Sequence, residues 1–174
     1  CFWGMQDLIR KRDGVISTRV GYSGGDVLNA TYRHHGTHAE AIEIAFDPAR
    51  IALGQILKIF FSIAHDPTQV NRQGADVGTQ YRSAIFYASE AQRRVAERYI
   101  AQIETAQLFD APIATTLEPL ERFYPAEPYH HGYAARNPSQ PYIRAVSTPK
   151  VEKLRKTHRD ATSRHGLLRP PRVG

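Results

Sequence analysis

The chain has 174 residues, of which 41% are hydrophobic and 23% charged, as expected for one globular domain. No apolar run approaches the roughly 18 residues of a membrane-spanning helix, and no signal-peptide pattern is present, so we expect no membrane association. The net charge of +6 arises in residues 150–174, which hold 8 basic and 2 acidic side chains against 15 of each in residues 1–149. A neutral body with a basic end gives no reason to expect nucleic-acid binding.

Strands and helices alternate along the first part of the chain. Apolar residues at helical spacing predict a helix from Phe2 to Lys11, which Asp13-Gly14 ends. The stretch GVISTRVGYSGG predicts a strand that stops at Gly24-Gly25, and EAIEIAFD alternates with a period of two, as a half-buried strand does. Residues 53–64 are apolar throughout and predict a buried helix.

The second part of the chain predicts two further strands, a capped helix and a terminal helix. RSAIFYA predicts a short core strand, and Ser89 with Gln92 predicts a capping box for a helix that runs to about Ala106. PIATTLEP predicts a last strand, and Pro149 is suited to be the first residue of a tail helix. Loops carry function disproportionately. Three long loops rich in Gly, Asp, His and Tyr separate these elements, at residues 24–38, 65–80 and 119–129.

Cys1 is the only cysteine, and it opens the motif CFWG. A sulfur at the start of a helix lies near unpaired N–H groups and the positive end of the helix dipole, and both lower the thiol pKa below about 8.5. A buried structural cysteine is the alternative. One thiol cannot form an internal disulfide, so nothing requires an oxidising compartment and we expect a cytoplasmic protein.

Five motifs, in order from residue 1 to about 150, resemble those of the A-class peptide-methionine (S)-S-oxide reductases: CFWG, GYSGG, HAEAIEIAFDP, HDPTQVNRQGADVGTQYRSAIFY and FYPAEPYHHGY. The resemblance implies a single-domain α/β (α+β) fold, a ferredoxin-like two-layer sandwich with a mixed sheet and long active-site loops. It also implies reduction of the S-epimer of methionine sulfoxide, free or in proteins, and hence repair of oxidised proteins. Residues 1–150 would form the reductase domain, and residues 151–174 a basic, partly helical tail.

The resemblance assigns roles residue by residue. Cys1 would attack the sulfoxide sulfur, and Glu40 would supply the proton that the oxygen needs as it leaves. Tyr32 and Tyr81 would hydrogen-bond that oxygen, and Asp76 would order this polar group through water. The wall around the substrate's methyl group would consist of Phe2, Trp3, His130 and Tyr133. Donors aimed at the oxygen make the sulfur attackable, and an acid among aromatic rings has a raised pKa that keeps it protonated near neutral pH.

The chain departs from the family pattern at three places. The family has a short strand ending in Gly-Gly before the cysteine; since none precedes Cys1 here, we expect a trimmed chain or a misplaced gene start. Gln6 stands where an acidic residue often follows CFWG. Residues 137–156 resemble family members without resolving cysteines. We therefore expect no cofactor, and recycling of Cys1 by an external thiol: thioredoxin, glutaredoxin or glutathione.

Other interpretations of single features stay open. A first-position cysteine also begins N-terminal nucleophile hydrolases, whose α-amino group is the general base, and it can carry a lipid anchor. A peptide-binding module could capture oxidised methionine without reducing it. The clustered histidines suggest a metal, but no cysteine pair or His-Glu-x-x-His helix accompanies them, so we expect none. Neither the hydrolase nor the lipid anchor accounts for GTQYRS or HAEAI. A monomeric, thiol-dependent oxidoreductase is the prediction.

Overall fold

The structure of the chain, a computed structural model, describes residues 2–147 and 149. Cys1, the predicted nucleophile, lies outside the described residues, and so does the predicted tail at 151–174. Of the predicted tail helix only Pro149 is described, and it is helical. No helix in this part of the chain is long and apolar enough to cross a membrane.

A central antiparallel pair of strands positions most of the site. β1 (Val15–Ser23) pairs with β2 (Ala39–Phe46) along one edge and with β7 (Phe123–Pro125) along the other. The register sets Tyr22 directly opposite Glu40. Because directly opposed residues project from the same face of a sheet, these two side chains lie on the same face.

A parallel pair of strands forms the other side of the fold. β5 (Ala84–Tyr87) and β6 (Thr116–Pro119) run parallel, and α3 (Glu90–Thr105) lies in the crossover that parallel pairing requires. The hydroxyl of Ser89 accepts from the Gln92 amide at 3.2 Å, as the predicted capping box requires. In a regular capping box the Gln92 side chain would accept from the amide of Ser89 itself. Here it accepts from the amide of Ala88, one residue earlier, at 2.8 Å.

The hydrophobic core lies between the helices and these strands. α2 (Leu53–Ile59) continues into one π-helical turn (Phe60–Ala64), and together they form the helix predicted at 53–64. This helix packs on α3 through a buried cluster of Leu57, Phe61, Ala96, Tyr99 and Ile103. α1 (Phe2–Ile9) buries Leu8 and Ile9 against the same helix. Packing at the carboxyl end of α1 therefore fixes the position of its first residues, which lie in the site.

The strands of the described residues form three small sheets, ordered β2–β1–β7, β3–β4 and β5–β6. The middle pair is short, β3 being Arg72–Gln73 and β4 Asp76–Val77. This pair and β7 lie in stretches predicted as loops, and PIATTLEP is therefore not the last strand. Strands of two or three residues are too short to show a period-two pattern.

A largely apolar cavity of about 430 Å³ separates β2 from β5. Consecutive residues line it on both sides, 40–44 from β2 and 82–88 around β5. Because successive side chains of a strand alternate between faces, the cavity borders the edges of the two strands rather than one face of either. At one end it reaches Phe2, Glu40 and Tyr81, so the gap between the sheets adjoins the polar group described below.

Short helical segments complete the described chain and carry several site residues. They are the 3-10 turns Thr79–Tyr81 and Pro128–His130, the helix α4 (Tyr133–Arg136) and the π-helical turn Ile143–Ser147.

Candidate active site

His38 folds the loop of residues 24–38 onto the start of β2. The side chain is buried, and its Nδ1 accepts from the Gly25 amide at 2.9 Å. Nε2 therefore carries the proton and donates to the carbonyl of Val27 at 2.7 Å. A Cβ atom on Gly25 would lie 2.2 Å from the backbone nitrogen of His38. This close approach of the two backbones explains why residue 25 is a glycine. Both ring nitrogens serve the loop, so His38 is a structural anchor.

Arg82 ties the same loop to β6. Its guanidinium donates to the carbonyls of Gly24 and Thr37, at 3.3 and 2.9 Å. It also contacts both carboxylate oxygens of Glu118, at 3.3 and 3.2 Å. With 13% of the Arg82 side chain exposed, this forked pair is largely shielded from water and holds the loop that carries Tyr32.

Glu40 combines burial with a link to the start of α1. The amide of Phe2, the residue bonded to Cys1, donates to Glu40 Oε1 at 3.3 Å. Loss of solvent raises the pKa of Glu40 above its ordinary value of 4.5, and the charge of Asp76 adds to this. The hydrogen bond from Phe2 and the charge of His35 oppose the rise without cancelling it. A carboxyl group of this kind holds its proton to a higher pH than an exposed one and can act as an acid.

Tyr81 lies beside this carboxyl group and links it to a second phenol, that of Tyr32. Tyr81 ends the 3-10 turn Thr79–Tyr81 and forms a side-chain hydrogen bond with Tyr32, which is 39% exposed. Burial, followed by the charge of Glu40, raises the pKa of Tyr81 well above its usual range. Tyr81 therefore keeps its proton and remains available as a hydrogen-bond donor near neutral pH.

Asp76 belongs to the same polar group and has a partner that lacks a local sequence signal. The hydroxyl of Tyr142 donates to Asp76 Oδ2 at 2.7 Å, and the Tyr142 ring stands edge-on to Trp3 at 6.1 Å. Burial first, and then this bond and the charge of Glu40, raise the pKa of Tyr142. Tyr142 is not among the predicted site residues, because a lone tyrosine in a C-terminal segment resembles any surface tyrosine.

Aromatic rings form the opposite side of the site. Trp3 stacks on Tyr133 with ring centroids 4.1 Å apart and planes at 20°, and its indole Nε1 donates to His130 Nδ1 at 3.0 Å. The His130 ring is also 5.3 Å from that of Phe2 and 5.0 Å from that of Tyr32. His130 is buried and thus lies at the centre of this aromatic wall.

The structure adds Glu127 and accounts for Gln6. Glu127 contacts both His130 and the amide of Tyr32, at 3.2 and 3.1 Å, and only its place in the FYPAEPYHHGY motif could have indicated it.

Gln6 is buried, donates to Thr18 Oγ1 at 3.2 Å and accepts from the Gly132 amide at 2.8 Å. A neutral amide group can donate and accept at the same time, so the glutamine satisfies both the Thr18 hydroxyl of β1 and the Gly132 amide.

The eight predicted site residues within the described range thus share one region, polar on one side and aromatic on the other. They are Phe2, Trp3, Tyr32, Glu40, Asp76, Tyr81, His130 and Tyr133. Within residues 2–147 and 149, no group of three or more His, Cys, Asp or Glu side chains is placed to hold a metal ion.

A sequence model described as peptide methionine sulfoxide reductase matches residues 1–162 of the chain. The chain belongs to this family. Peptide methionine sulfoxide reductase MsrA of Leifsonia xyli subsp. xyli is 59% identical over 138 residues, which are 79% of this chain and 81% of the relative. The predicted family and oxidoreductase class are therefore confirmed, and the chain is a methionine sulfoxide reductase.

Solved structures of the family agree with the fold. Mxr1 from Saccharomyces cerevisiae in reduced form superposes with a TM-score of 0.70 at 35% identity, covering 80% of this chain and 82% of Mxr1. Mxr1 in complex with Trx2 gives a TM-score of 0.50 at 28% identity, covering 76% and 77%. The predicted single-domain α/β fold class is confirmed, and the hydrolase alternative is not favoured.

Proposed function

We propose that residues 1–150 form a monomeric reductase domain that acts on the S-epimer of methionine sulfoxide, free or in proteins, with Cys1 as the nucleophile. The observation that carries this proposal is the hydrogen bond from the Phe2 amide to Glu40 at 3.3 Å. It joins a carboxyl group of raised pKa to the residue that follows the thiol in the chain. Reduction of a sulfoxide needs a nucleophile that attacks the sulfur and, close to it, an acid that protonates the oxygen.

In the proposed reaction the thiolate of Cys1 attacks the sulfoxide sulfur while Glu40 donates a proton to the oxygen. The sulfur–oxygen bond of the substrate breaks, and the hydroxyl passes in net terms to the sulfur of Cys1. The products are methionine and a sulfenic acid on Cys1, so the sulfoxide gains two electrons and the thiol loses two. Glu40 regains its proton from solvent before the next turnover.

The phenols of Tyr32 and Tyr81 are the proposed donors to the sulfoxide oxygen. Tyr81 lies beside Glu40 and is hydrogen-bonded to Tyr32, and its raised pKa keeps its phenol protonated. Donors placed in advance where negative charge changes lower the barrier more than donors that must reorient. Asp76, held by Tyr142 at 2.7 Å, is proposed to order this group and to favour the protonated form of Glu40 through its charge.

The aromatic side of the site supports selection of one epimer. A sulfoxide sulfur is chiral because oxygen, methyl, the remaining side chain and a lone pair differ. If the oxygen faces Glu40 and Tyr81, and the methyl group packs on Phe2 and Trp3, only one epimer directs the rest of the methionine side chain away from the pocket. The separation of polar and aromatic groups thus supports stereospecific reduction.

Recycling of Cys1 is proposed to use an external thiol, since the sequence contains one cysteine. A thiolate attacks the sulfenic sulfur, water leaves, and a mixed disulfide on Cys1 is then resolved by a second thiol. The complex of Mxr1 with Trx2 supports a thioredoxin-like protein in this role, with glutaredoxin or glutathione as alternatives. Such thiols are abundant in the cytoplasm, which is the proposed location.

A single-turnover experiment without reductant tests this function. Peptides containing either the S- or the R-sulfoxide are mixed with the chain, and the reduced peptide and the mass of Cys1 are measured with dimedone present. We expect about one equivalent of reduced peptide from the S-peptide and one dimedone adduct per chain, with neither from the R-peptide nor from Cys1→Ser. Formation of the reduced peptide that leaves Cys1 as a free thiol would refute the mechanism.

A further inference from the structure

Glu127 connects three separate stretches of chain around the site. Its Oε1 accepts from the backbone amide of Tyr32 at 3.1 Å. Its Oε2 lies 3.2 Å from His130 Nε2 and accepts from the Tyr129 hydroxyl at 3.3 Å. Through His130 the connection extends to the indole nitrogen of Trp3, 3.0 Å from Nδ1. One carboxylate thus contacts the loop that carries Tyr32 and, through one ring, the start of α1.

From these contacts we infer that Glu127 is a positioning residue of the reductase, which fixes Trp3 against the methyl group and Tyr32 against the oxygen of the substrate. The inference rests on the functions proposed above for Trp3 and Tyr32. Glu127 acts through other side chains and does not itself touch the reacting atoms.

Hydrogen-bond polarity makes an acceptor at Glu127 necessary. An indole N–H can only donate, so Nδ1 of His130 must be unprotonated and the ring proton must sit on Nε2. That proton faces Glu127 Oε2, with Nε2 and Oε2 3.2 Å apart, but the angle at the proton is too bent for a regular hydrogen bond. In the other tautomer an N–H group at Nδ1 would face the indole N–H and break the bond to Trp3. His130 is 1% exposed, so bulk water does not replace the lost partner.

A neutral amide of the same shape cannot replace this carboxylate. Both oxygens of Glu127 accept, one from Tyr32 and the other on the side of His130. Glu127→Gln turns one oxygen into an NH₂ group, which meets either the Tyr32 amide or the His130 ring proton as a second donor. One of the two contacts must then open, and a displacement of about 1 Å at a substrate-positioning group costs up to roughly 100-fold in rate.

The chain carries a built-in reporter, because Trp3 is its only tryptophan. A protonated imidazole in contact with indole quenches its fluorescence, so the intensity follows the protonation of His130. Burial lowers the pKa of His130, the charge of Glu127 opposes this, and the neighbouring His131 lowers the pKa further. The other ring neighbours of His130 are Phe2, Trp3, Tyr32 and Tyr129, none of which is a carboxylate, an ammonium or a guanidinium. Loss of the Glu127 charge must therefore move the fluorescence midpoint to lower pH.

The test compares Glu127→Gln with Glu121→Gln, a matched change at an exposed glutamate six positions earlier. Steady-state kinetics on the S-sulfoxide peptide and the pH titration of Trp3 fluorescence are measured on both. We expect Glu127→Gln to lower kcat/KM by roughly 10- to 100-fold and to shift the fluorescence midpoint downward. Glu121→Gln should match the native chain in both measurements.

Glu127→Asp keeps the charge and covers the case in which the amide variant does not fold. Its fluorescence midpoint should return toward that of the native chain, while kcat/KM stays reduced because the shorter side chain cannot span both contacts. A native midpoint in Glu127→Gln, or a shifted midpoint with native kcat/KM, would overturn the inference. The fluorescence measurement needs no turnover, so a failure of the proposed function would leave its shift intact.

Discussion

Tyr142 donates a hydrogen bond to Asp76 at 2.7 Å and so joins two residues that are 66 positions apart in the chain. The bond connects the residue just before the π-helical turn Ile143–Ser147 to the short strand β4 beside Glu40. Because the charge of Asp76 contributes to the raised pKa of Glu40, Tyr142 acts on the proposed acid through an intermediate carboxylate. The edge-on contact of its ring with Trp3 links the polar and aromatic sides of the site.

Tyr142→Phe removes this donor and keeps the ring. We expect a loss of about 1 kcal/mol in the free energy of unfolding, the usual net contribution of one hydrogen bond. We also expect a several-fold fall in kcat/KM, since the Asp76 carboxylate is no longer held. Chemical denaturation and steady-state kinetics measure the two effects. Tyr87→Phe, at a half-buried tyrosine of β5, is the control, and an equal fall in activity there would show that the site is not specifically affected.

Glu40→Gln removes the transferable proton while keeping the size of the side chain. We expect a loss on the order of 10²–10⁴ in the rate of sulfoxide reduction, the usual span for general acid catalysis. In the native chain the rate should fall as the pH rises through the raised pKa of Glu40, because the acid is then ionised. The variant should lack this limb of the profile. A native rate across neutral pH would assign the proton to Tyr32 or Tyr81 instead.

The same shift predicts a pH dependence of stability. The folded chain binds the Glu40 proton more tightly than the unfolded chain, whose carboxyl group titrates near 4.5. Stability from this group is therefore present below 4.5 and is lost as the pH rises through the folded pKa. Glu40→Gln cannot ionise, so its stability relative to the native chain should improve across that window in parallel denaturant titrations. A constant difference between the two proteins would contradict the raised pKa.

Local patterns predicted the longer elements, because periodicity and capping act over neighbouring residues. α1, β1, β2 and α3 match their predicted stretches closely for this reason. β7 does not, since a three-residue strand is specified by its partner rather than by its own pattern.

The candidate site divides in the same way. The family motifs indicated the residues of both walls, whereas Tyr142, Glu127 and Gln6 are defined by contacts across 66, 95 and 126 positions. Nothing in the neighbouring sequence of such residues records their partners. His38 is the converse case: the sequence groups it with other histidines, while the fold directs both of its ring nitrogens to backbone atoms.

Arg82→Lys tests whether the loop of residues 24–38 is held by the forked guanidinium. A lysine ammonium is a point charge that cannot reach Gly24, Thr37 and both oxygens of Glu118 together. We expect the free energy of unfolding to fall by about 1–3 kcal/mol, because hydrogen bonds from a charged donor are lost that a lysine cannot replace. Tyr32 lies on this loop, so kcat/KM should fall as well, and amide hydrogen exchange should rise within residues 24–38 more than in α3.

Arg93→Lys provides the matched control for this prediction. Arg93 also pairs with carboxylates, Glu90 and Glu97, but it lies on the surface of α3 with 37% of its side chain exposed. Exposed pairs of this kind contribute about 0–1 kcal/mol, so this substitution should leave activity and loop exchange unchanged. An equal loss of stability in the two variants would show that the guanidinium of Arg82 does not hold the loop. The same conclusion follows if Arg82→Lys is destabilised while the amides of residues 24–38 stay protected from exchange. Faster exchange confined to the loop, together with a lower kcat/KM, is the outcome that the contacts of Arg82 predict, because two of its backbone acceptors, the carbonyls of Gly24 and Thr37, lie in the segment that carries Tyr32.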